Sequence, residues 1–229
     1  MKAPYSIWFA LAVCVAGCTE KEELPECPGS CTVVTGRLLT SGSAPLSNAV
    51  VTLQWAGGPA YSPKVRKKAI ATTDANGRYR VSGFLSDDEL ADGFIEVVFS
   101  PDKSKYYLIG EPELAFYQPK RDTVYSAPDF LIPRKGSINF VVTNPSQIPT
   151  SYSYYVDFSS CYGGNTVFSR NIMGGGASIN LSGLPTPYII DAPADQRILV
   201  RQRKNGSYIA FGDTIFVPSG TTQTYTLTY

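Results

Sequence analysis

Hydrophobic and polar residues alternate with a period of two over many short segments of this chain. Residues 49–55 carry apolar side chains on every second position, and residues 95–99 and 152–158 do the same, with Tyr155 on the opposite face from Tyr154. A period of two is typical of β-strands, whereas helices need a period of about 3.6. No long window shows the helical period. The pattern therefore predicts an all-β protein.

Turn residues divide the first part of the chain into short strands. Predicted strands cover residues 33–40, 49–55, 66–73, 78–81, 93–99, 105–109 and 123–132. Asp74-Ala75-Asn76-Gly77 predicts a hairpin turn, because Asn-Gly supplies the positive φ that such a turn needs. Residues 110–121, which include Phe116 and Tyr117, are predicted to form a long loop.

One short helical turn is predicted between these strands. Ser86 and Glu89 have the spacing of a capping box, and Gly93 follows as a stop signal. The acidic side chains of this segment have a second interpretation as calcium ligands, since Ca²⁺ takes about six to eight oxygen ligands. They are Asp87, Asp88, Glu89 and Asp92. The sequence favours the capped, solvated turn.

The second part of the chain continues the alternation beyond a junction predicted at residues 133–136. Further strands are predicted at residues 138–142, 152–158, 166–172, 177–181, 188–190, 197–203, 208–211, 214–217 and 222–228. Gly212 alone separates two of these segments, which leaves one bent strand as an alternative. The predicted fold is two tandem β-sandwich domains of the prealbumin or immunoglobulin type, residues 32–134 and 135–229.

The first of these domains resembles the carboxypeptidase regulatory-like (transthyretin-like) family over about residues 32–100. Three segments carry the resemblance: Val34-x-Gly36, Ala44-Pro45-Leu46-x-Asn48-Ala49-x-Val51-x-Leu53 and Thr72-Thr73-Asp74-Ala75-Asn76-Gly77-Arg78-Tyr79. The resemblance implies a seven-stranded Greek-key sandwich. It implies no catalysis, because such modules accompany enzymes, transporters and adhesins alike.

Residues 1–17 resemble a bacterial lipoprotein signal peptide. Lys2 supplies a positive charge, and residues 7–17 form an apolar run that is too short to span a bilayer. Val15-Ala16-Gly17-Cys18 resembles the lipobox, in which the cysteine is acylated and becomes the mature N-terminus. The resemblance implies that Cys18 is lipidated and anchors the protein firmly in a membrane. The alternative is an ordinary cleaved signal in which Cys18 is incidental.

Residues 18–31 are predicted to be a flexible tether, because they combine acidic residues and prolines without an apolar period. Lys21-Glu22-Glu23 resembles the export signal of Bacteroidetes-type surface lipoproteins. That resemblance implies an outer-membrane lipoprotein that faces the cell surface. The alternative is that these charged residues are a solvated spacer, and the sequence leaves both interpretations open.

Charge and composition exclude several functional classes. Without Lys2 the 20 basic side chains become 19, equal to the 19 acidic ones. No strongly basic surface is implied, and nucleic acid is not expected as a partner. The chain contains no histidine. This excludes Ser–His and Cys–His nucleophiles and nearly every zinc enzyme site, and no cofactor is predicted.

Three of the 5 cysteines follow the predicted anchor. Cys27 and Cys31 enclose a Pro-Gly turn and are predicted to form a disulfide, since export leads to an oxidising compartment. Cys161 is then unpaired and is expected to be a small, buried apolar side chain. Pairing of Cys161 with Cys27 or Cys31 stays open, because the sequence does not fix the connectivity.

A candidate ligand face is formed by tyrosines near a glycine-rich loop, Gly163-Gly164. They are Tyr152, Tyr154, Tyr155 and Tyr162. Flat rings stack on sugars, which predicts a glycan ligand, while the alternative is that the rings pack on sheet faces with wet hydroxyl groups. The basic clusters Arg66-Lys67-Lys68 and Arg201-x-Arg203-Lys204 are expected to cap hairpins in solvent, with contact to lipid headgroups as the alternative. No catalytic residue and no metal ligand is predicted.

The predicted function is a lipid-anchored, exported, non-catalytic binding or adhesion accessory module. Its expected partners are a membrane, through the anchor, and a glycan or an outer-membrane protein. The alternative is a structural spacer or a partner subunit of an outer-membrane assembly. A glycoside hydrolase that uses carboxylates is the hypothesis that the sequence favours least, since no carboxylate pair can be assigned to acid–base catalysis.

Overall fold

A computed structural model shows the tertiary structure of the chain. It describes residues 27, 29–59, 62–148, 154–169, 177–182, 186–209 and 212–229, and every structural statement below concerns these residues. Strands dominate, and the α-helix α1 (Asp87–Ala91) has 5 residues. The prediction of an all-β fold is confirmed. In the part of the chain that is described, no helix has the length and apolar character needed to cross a membrane.

The first β-sandwich contains the strands β1 to β9. They are β1 (Thr32–Thr40), β2 (Ala44–Pro45), β3 (Val50–Gly57), β4 (Lys64–Thr72), β5 (Arg78–Gly83), β6 (Phe94–Ser100), β7 (Glu113–Tyr117), β8 (Val124–Ser126) and β9 (Phe130–Leu131). One sheet is centred on β1, which pairs antiparallel with β2 and β5 and parallel with β8 and β9. The other sheet has the antiparallel order β4-β3-β6-β7.

The inner faces of these two sheets share one hydrophobic core. Val51, Leu53 and Trp55 of β3 belong to the same buried cluster as Val34 and Leu38 of β1. Each set occupies alternate positions of its strand, because a strand turns successive side chains to opposite faces. The alternation predicted for residues 49–55 is therefore confirmed.

The predicted hairpin turn between β4 and β5 is also confirmed. Gly77 has a φ of 72°, a conformation that favours glycine. The Asp74 carboxylate accepts hydrogen bonds from the backbone N–H groups of Asn76 and Arg78, both at 2.8 Å. A Cβ atom at Gly77 would collide with the carbonyl oxygen of Leu38 on β1. Both the backbone conformation and the available space therefore require glycine here.

The capping box at α1 forms as predicted. The backbone N–H of Ser86 donates to the Glu89 carboxylate at 2.9 Å, and the Ser86 side chain caps the helix in return. The Glu89 side chain is 1% exposed and lies 2.7 Å from Lys68 Nζ and 3.1 Å from Arg66 Nη1. Since two cations already engage this carboxylate, the structure favours the capped turn over the calcium interpretation.

The loop prediction for residues 110–121 is wrong, because this segment contains β7. Leu114 and Phe116 pack against the first core, while their neighbours on β7 face solvent. The alternation extends over five residues and follows the turn residues Gly110 and Pro112, which hid it. Pairing with β6 places this strand at the edge of its sheet.

Two other strand predictions in the first sandwich need correction. Residues 105–109 form no strand, and Tyr106 makes an isolated bridge to Arg134. Residues 123–132 are split into β8 and β9. Pro128 lies between the two and has no N–H group for a ladder hydrogen bond, which explains the interruption.

The second β-sandwich contains the strands β10 to β17. They are β10 (Lys135–Val142), β11 (Tyr154–Ser159), β12 (Ser178–Asn180), β13 (Tyr188–Pro193), β14 (Arg197–Lys204), β15 (Ser207–Tyr208), β16 (Asp213–Phe216) and β17 (Thr222–Leu227). One sheet has the order β13-β10-β17, and the other has the order β12-β11-β14, with β15 and β16 both paired to β14. Ile138 and Phe140 of the first sheet share a core with Val156 and Val200 of the second.

The predicted strand at residues 166–172 is not found where it can be checked. Residues 166–169 are not in a strand, and residues 170–172 lie outside the described part of the chain. The two segments that Gly212 separates are β15 and β16, which follow each other along the same partner strand. The interruption is therefore local and does not change the sheet order.

The two sandwiches meet around Ser41, which directly follows β1. Ser41 Oγ donates to the carbonyl oxygen of Ala194 at 2.7 Å and accepts from the backbone N–H of Arg134 at 2.9 Å. The backbone N–H of Ala194 donates to the carbonyl oxygen of Arg134 at 2.7 Å. A small apolar cluster adds to this contact and consists of Leu39, Leu131 and Cys161. The domain boundary predicted near Arg134 stays a prediction.

Candidate functional site

Tyr154 does not belong to an exposed ligand face, contrary to the sequence prediction. Its side chain is 0% exposed and packs edge-on against Tyr229, with ring centroids 5.1 Å apart. The Tyr154 hydroxyl donates to the side-chain oxygen of Gln202 at 2.7 Å. Burial raises the pKa of Tyr154 to about 12. Tyr154 is thus a core residue whose one polar atom is satisfied, and it cannot contact a ligand.

The other predicted tyrosines lie in different environments. Tyr155 is half-buried and faces away from the second core, as its position next to Tyr154 predicts. The Tyr162 hydroxyl accepts a hydrogen bond from the backbone N–H of Ile109 at 3.1 Å, and its ring lies 6.2 Å from that of Phe130. Tyr162 therefore packs against the first sandwich. Tyr152 lies outside the described residues, so the three described tyrosines do not share one face.

A different set of residues surrounds Tyr155 on the outer face of the β11-β14-β15 sheet. Tyr155 is paired with Arg203, whose guanidinium carbon lies 4.6 Å from the ring centroid. Arg203 is paired in turn with Tyr208 of β15. The guanidinium carbon of Arg201 lies 4.7 Å from the Tyr208 centroid. We call Tyr155, Arg201, Arg203 and Tyr208 the tyrosine–arginine face.

The polar groups of this face are incompletely paired. Arg203 Nε lies 3.5 Å from Asp157 Oδ2, and Asp157 Oδ1 accepts a hydrogen bond of 2.6 Å from the Ser178 hydroxyl. The Nε atoms of Arg201 and Arg203 are buried but have no hydrogen-bond acceptor among the described residues. Arg197 extends the row of cations along β14, with its guanidinium carbon 6.0 Å from the Phe168 ring. Three arginines therefore accompany one aspartate.

The sequence predicted that Arg201 and Arg203 cap a hairpin in solvent together with Lys204. The structure divides that cluster between two faces of β14, because Lys204 Nζ lies 3.9 Å from the Tyr229 ring on the core side. The alternation of side chains along β14 was the sequence signal that could have predicted the tyrosine–arginine face. Positions 197, 201 and 203 are all odd and share one side of the strand, whereas position 204 does not.

Three of the four cysteines predicted for the mature protein lie among the described residues. Cys18 lies outside the described residues. Cys27 and Cys31 form a disulfide with their Cα atoms 5.8 Å apart. Cys161 is free and buried, and burial raises the pKa of its thiol. The Gln196 side chain accepts a hydrogen bond from the backbone N–H of Cys161 and donates one to the Cys161 carbonyl oxygen, both at 3.1 Å. A thiol held this way is structural rather than reactive.

Glu89 is the carboxylate most strongly engaged by cations in the described residues. Burial alone would raise its pKa, but hydrogen bonds from Lys68, the Ser86 backbone and Arg66 outweigh burial and hold the pKa below its ordinary value. A carboxylate with a lowered pKa and no exposed surface is poorly suited to proton transfer. No group of three or more His, Cys, Asp or Glu side chains that could hold a metal ion occurs among the described residues.

Two surface pockets of about 250 Å³ lie at one end of the first sandwich. One is lined by Asp102 and Lys105, which form an ion pair at 3.3 Å with both side chains largely in solvent. The other is lined by Lys103 and Glu111. Apolar residues and exposed loop residues line both pockets without a stacked or converging set of charged groups, so neither pocket is a stronger candidate than the tyrosine–arginine face.

Comparison with known proteins finds solved structures that share only a distant likeness with this chain. No family model matches the chain, and no curated protein matches it. Among solved structures, the Bacillus anthracis TIE protein is 11% identical with a TM-score of 0.32, over 87% of this chain and 34% of that protein. This chain thus spans about a third of the TIE protein's length.

Two other solved structures illustrate the range of the likeness. The shaft pilin SpaA of Lactobacillus rhamnosus GG is 10% identical with a TM-score of 0.31, over 87% of this chain and 97% of the pilin. Catechol 1,2-dioxygenase of Pseudomonas arvilla C-1 is 16% identical with a TM-score of 0.31, over 48% of this chain and 54% of the enzyme. Likeness at this level carries no inference about function.

Proposed function

We propose that this protein is a lipid-anchored, exported accessory module of the outer membrane or the cell surface. Its role is binding or adhesion, without catalysis. Support for the location comes from the charged start, the short apolar run, Cys18 and the motif Lys21-Glu22-Glu23. The resemblance of the first sandwich to carboxypeptidase regulatory-like modules supports an accessory role.

The tyrosine–arginine face is the observation that carries the binding role. Two guanidinium groups are held over aromatic rings on one side of β14, and a third arginine, Arg197, lies on the same side. Guanidinium groups match the two oxygens of a carboxylate or sulfate, so this arrangement is suited to binding anions.

Acid–base and nucleophilic catalysis are not part of the proposal. The chain has no histidine. Glu89 is held between Lys68 and Arg66, and the buried Cys161 thiol has a raised pKa that disfavours the thiolate. Glu89 is thus engaged by cations, and the Cys161 thiol is masked by burial.

A structural role in an outer-membrane assembly is the second candidate, and the contact between the sandwiches favours it. Ser41 bonds to both Ala194 and Arg134, which restrains the two sandwiches relative to each other and suits a spacer. Affinity purification of the full chain from detergent-solubilised membranes separates the candidates. Recovery of one membrane protein in a fixed ratio to this chain would favour the partner-subunit role.

Lipid anchoring is tested by Cys18→Ser, with Cys14→Ser as the matched control in the same apolar run. The Cys18 variant is expected to lose incorporation of a labelled fatty acid and to leave the membrane fraction, whereas the Cys14 variant keeps both. Protease treatment of intact cells then shows whether the protein faces the outside. A Cys18 variant that is still labelled and still sediments with membranes would refute the anchor.

A further inference from the structure

We propose that the tyrosine–arginine face binds an acidic polysaccharide. In this proposal the two guanidinium groups hold carboxylate or sulfate groups of the polymer. It rests on the proposed function, because it names the ligand class of the same binding module.

Both arginines are held in fixed planes with donors to spare. The guanidinium carbons of Arg203 and Arg201 lie 4.6 Å and 4.7 Å from the ring centroids of Tyr155 and Tyr208. A guanidinium stacked on a ring keeps its N–H donors along its outer edge, where they match the two oxygens of a carboxylate or sulfate.

The charge of the face selects an anion over a neutral ligand. Arg197, Arg201 and Arg203 all project to this side of β14, and Asp157 is the acidic residue paired across from Arg201. Asp157 is already 3.5 Å from Arg203 and bonded by Ser178, so two net positive charges remain for a ligand. Surface potential of one sign attracts ligands of the opposite sign.

Gly212 leaves room for the side chain of Arg201. A Cβ atom at this position would lie 2.7 Å from Arg201 Cγ. The absence of a side chain at Gly212 therefore leaves the room that the Arg201 stem occupies. Gly212 also has a positive φ of 56°, which glycine adopts without strain.

The shape of the face fits a polymer with repeated charges. Arg201 and Arg203 are two residues apart on one strand, which separates their backbones by about 7 Å along the sheet. Tyr208 is 51% exposed and offers an apolar ring surface beside the charges. Sugar rings pack on such surfaces, and acidic sugars carry an anion on the same unit, so an acidic polysaccharide satisfies both features.

The test measures binding of the full chain, purified in detergent, to chondroitin sulfate and polygalacturonate by titration calorimetry. Neutral dextran and poly-glutamate serve as the comparison polymers. Arg201→Ala/Arg203→Ala is expected to weaken binding of an acidic polysaccharide by about tenfold or more. The matched control, Arg78→Ala/Arg80→Ala, removes the same charge from exposed positions of β5 and is expected to bind like the wild type.

A second variant covers a failure of the first to fold. Arg201→Lys/Arg203→Lys keeps both charges but loses the planar fork and the stacking, so it is expected to keep the wild-type melting temperature and still bind more weakly. Binding of the wild type is also expected to fall as salt rises.

Four results would overturn the ligand class: no binding of either acidic polysaccharide, equal binding of dextran, equal binding of poly-glutamate, or equal weakening in the β5 control. None of them touches the Cys18→Ser experiment, which tests the anchor by labelling and fractionation. A failed anchor would in turn leave the calorimetric result unchanged. The two proposals therefore fail separately.

Discussion

Replacing Glu89 by Gln is expected to destabilise the first sandwich by about 3 kcal/mol. The Glu89 side chain is 1% exposed, and Lys68 Nζ lies 2.7 Å from it with that side chain 8% exposed. Removing one partner of a buried ion pair costs about 3–5 kcal/mol, because the other charge stays buried without compensation. The lower end applies, since glutamine keeps an oxygen for the Ser86 cap. Arg66 is 52% exposed and adds little, as water screens it.

The assay is urea unfolding followed by tryptophan fluorescence. Trp55 is a local reporter, because its indole N–H donates to the Glu89 carbonyl oxygen at 3.0 Å, and Trp8 lies in the predicted signal peptide. Asp102→Asn is the control, since it breaks an exposed pair with Lys105 that water screens, and it should leave the free energy of unfolding nearly unchanged. A cost below about 1 kcal/mol for Glu89→Gln would refute the buried-pair argument.

The coupling between Glu89 and Lys68 gives the same experiment a second criterion. Adding Lys68→Met to Glu89→Gln removes the uncompensated charge, so the double variant should be more stable than the sum of the single effects allows. Purely additive losses would show that the two side chains do not stabilise each other. That result would contradict the contact of 2.7 Å as the source of the effect.

The pH dependence of this effect has a definite sign. The folded protein holds the pKa of Glu89 below its ordinary value, so the contribution is fully present above the unfolded pKa and is lost as pH falls through the folded pKa. The stability difference between wild type and Glu89→Gln should therefore shrink below about pH 4. A difference that grows on acidification would contradict the direction of the shift.

Two further predictions concern the turn and the domain boundary. Gly77→Val should lower the free energy of unfolding by about 1 kcal/mol or more. Gly110→Val, which has a positive φ but open space around a Cβ, isolates the conformational part, and an unchanged melting temperature for Gly77→Val would refute the turn argument. A fragment of residues 32–134 should fold alone with a sheet-dominated circular dichroism spectrum, and proteolysis of the full chain should cut the tether first and the junction second. A helical spectrum, or failure of both halves to fold separately, would contradict two domains.

The features of the first sandwich that sequence predicted are local ones. The Asn76-Gly77 turn and the capping box of Ser86 and Glu89 depend on residues within four positions of each other, and both form as predicted. β7 was missed because its five residues follow turn residues and acquire strand geometry by pairing with β6. That pairing is a long-range event, which a local pattern does not contain.

Strand parity predicted that Tyr154 and Tyr155 face opposite ways, but it did not say which face is the core. That choice depends on the sheet β13-β10-β17, which covers the Tyr154 side, while Tyr155 on the other side is only half-buried. The candidate ligand face was therefore half wrong for a physical reason. Burial is decided by packing between sheets, whereas sequence alternation reports only the geometry within one strand.

Strand β14 contributes residues both to the second core and to the tyrosine–arginine face. Ile198 and Val200 of β14 are buried in the core, and Arg201 and Arg203 lie on its outer side. Between the two arginines, the Gln202 side chain turns inward, and its oxygen accepts a hydrogen bond of 2.7 Å from the Tyr154 hydroxyl. A packed strand has little freedom to shift, so the core fixes the spacing of the guanidinium groups before any ligand arrives. Binding groups on a rigid strand lose less entropy than groups on a loop, which favours this face over the exposed loop pockets as a place for recognition.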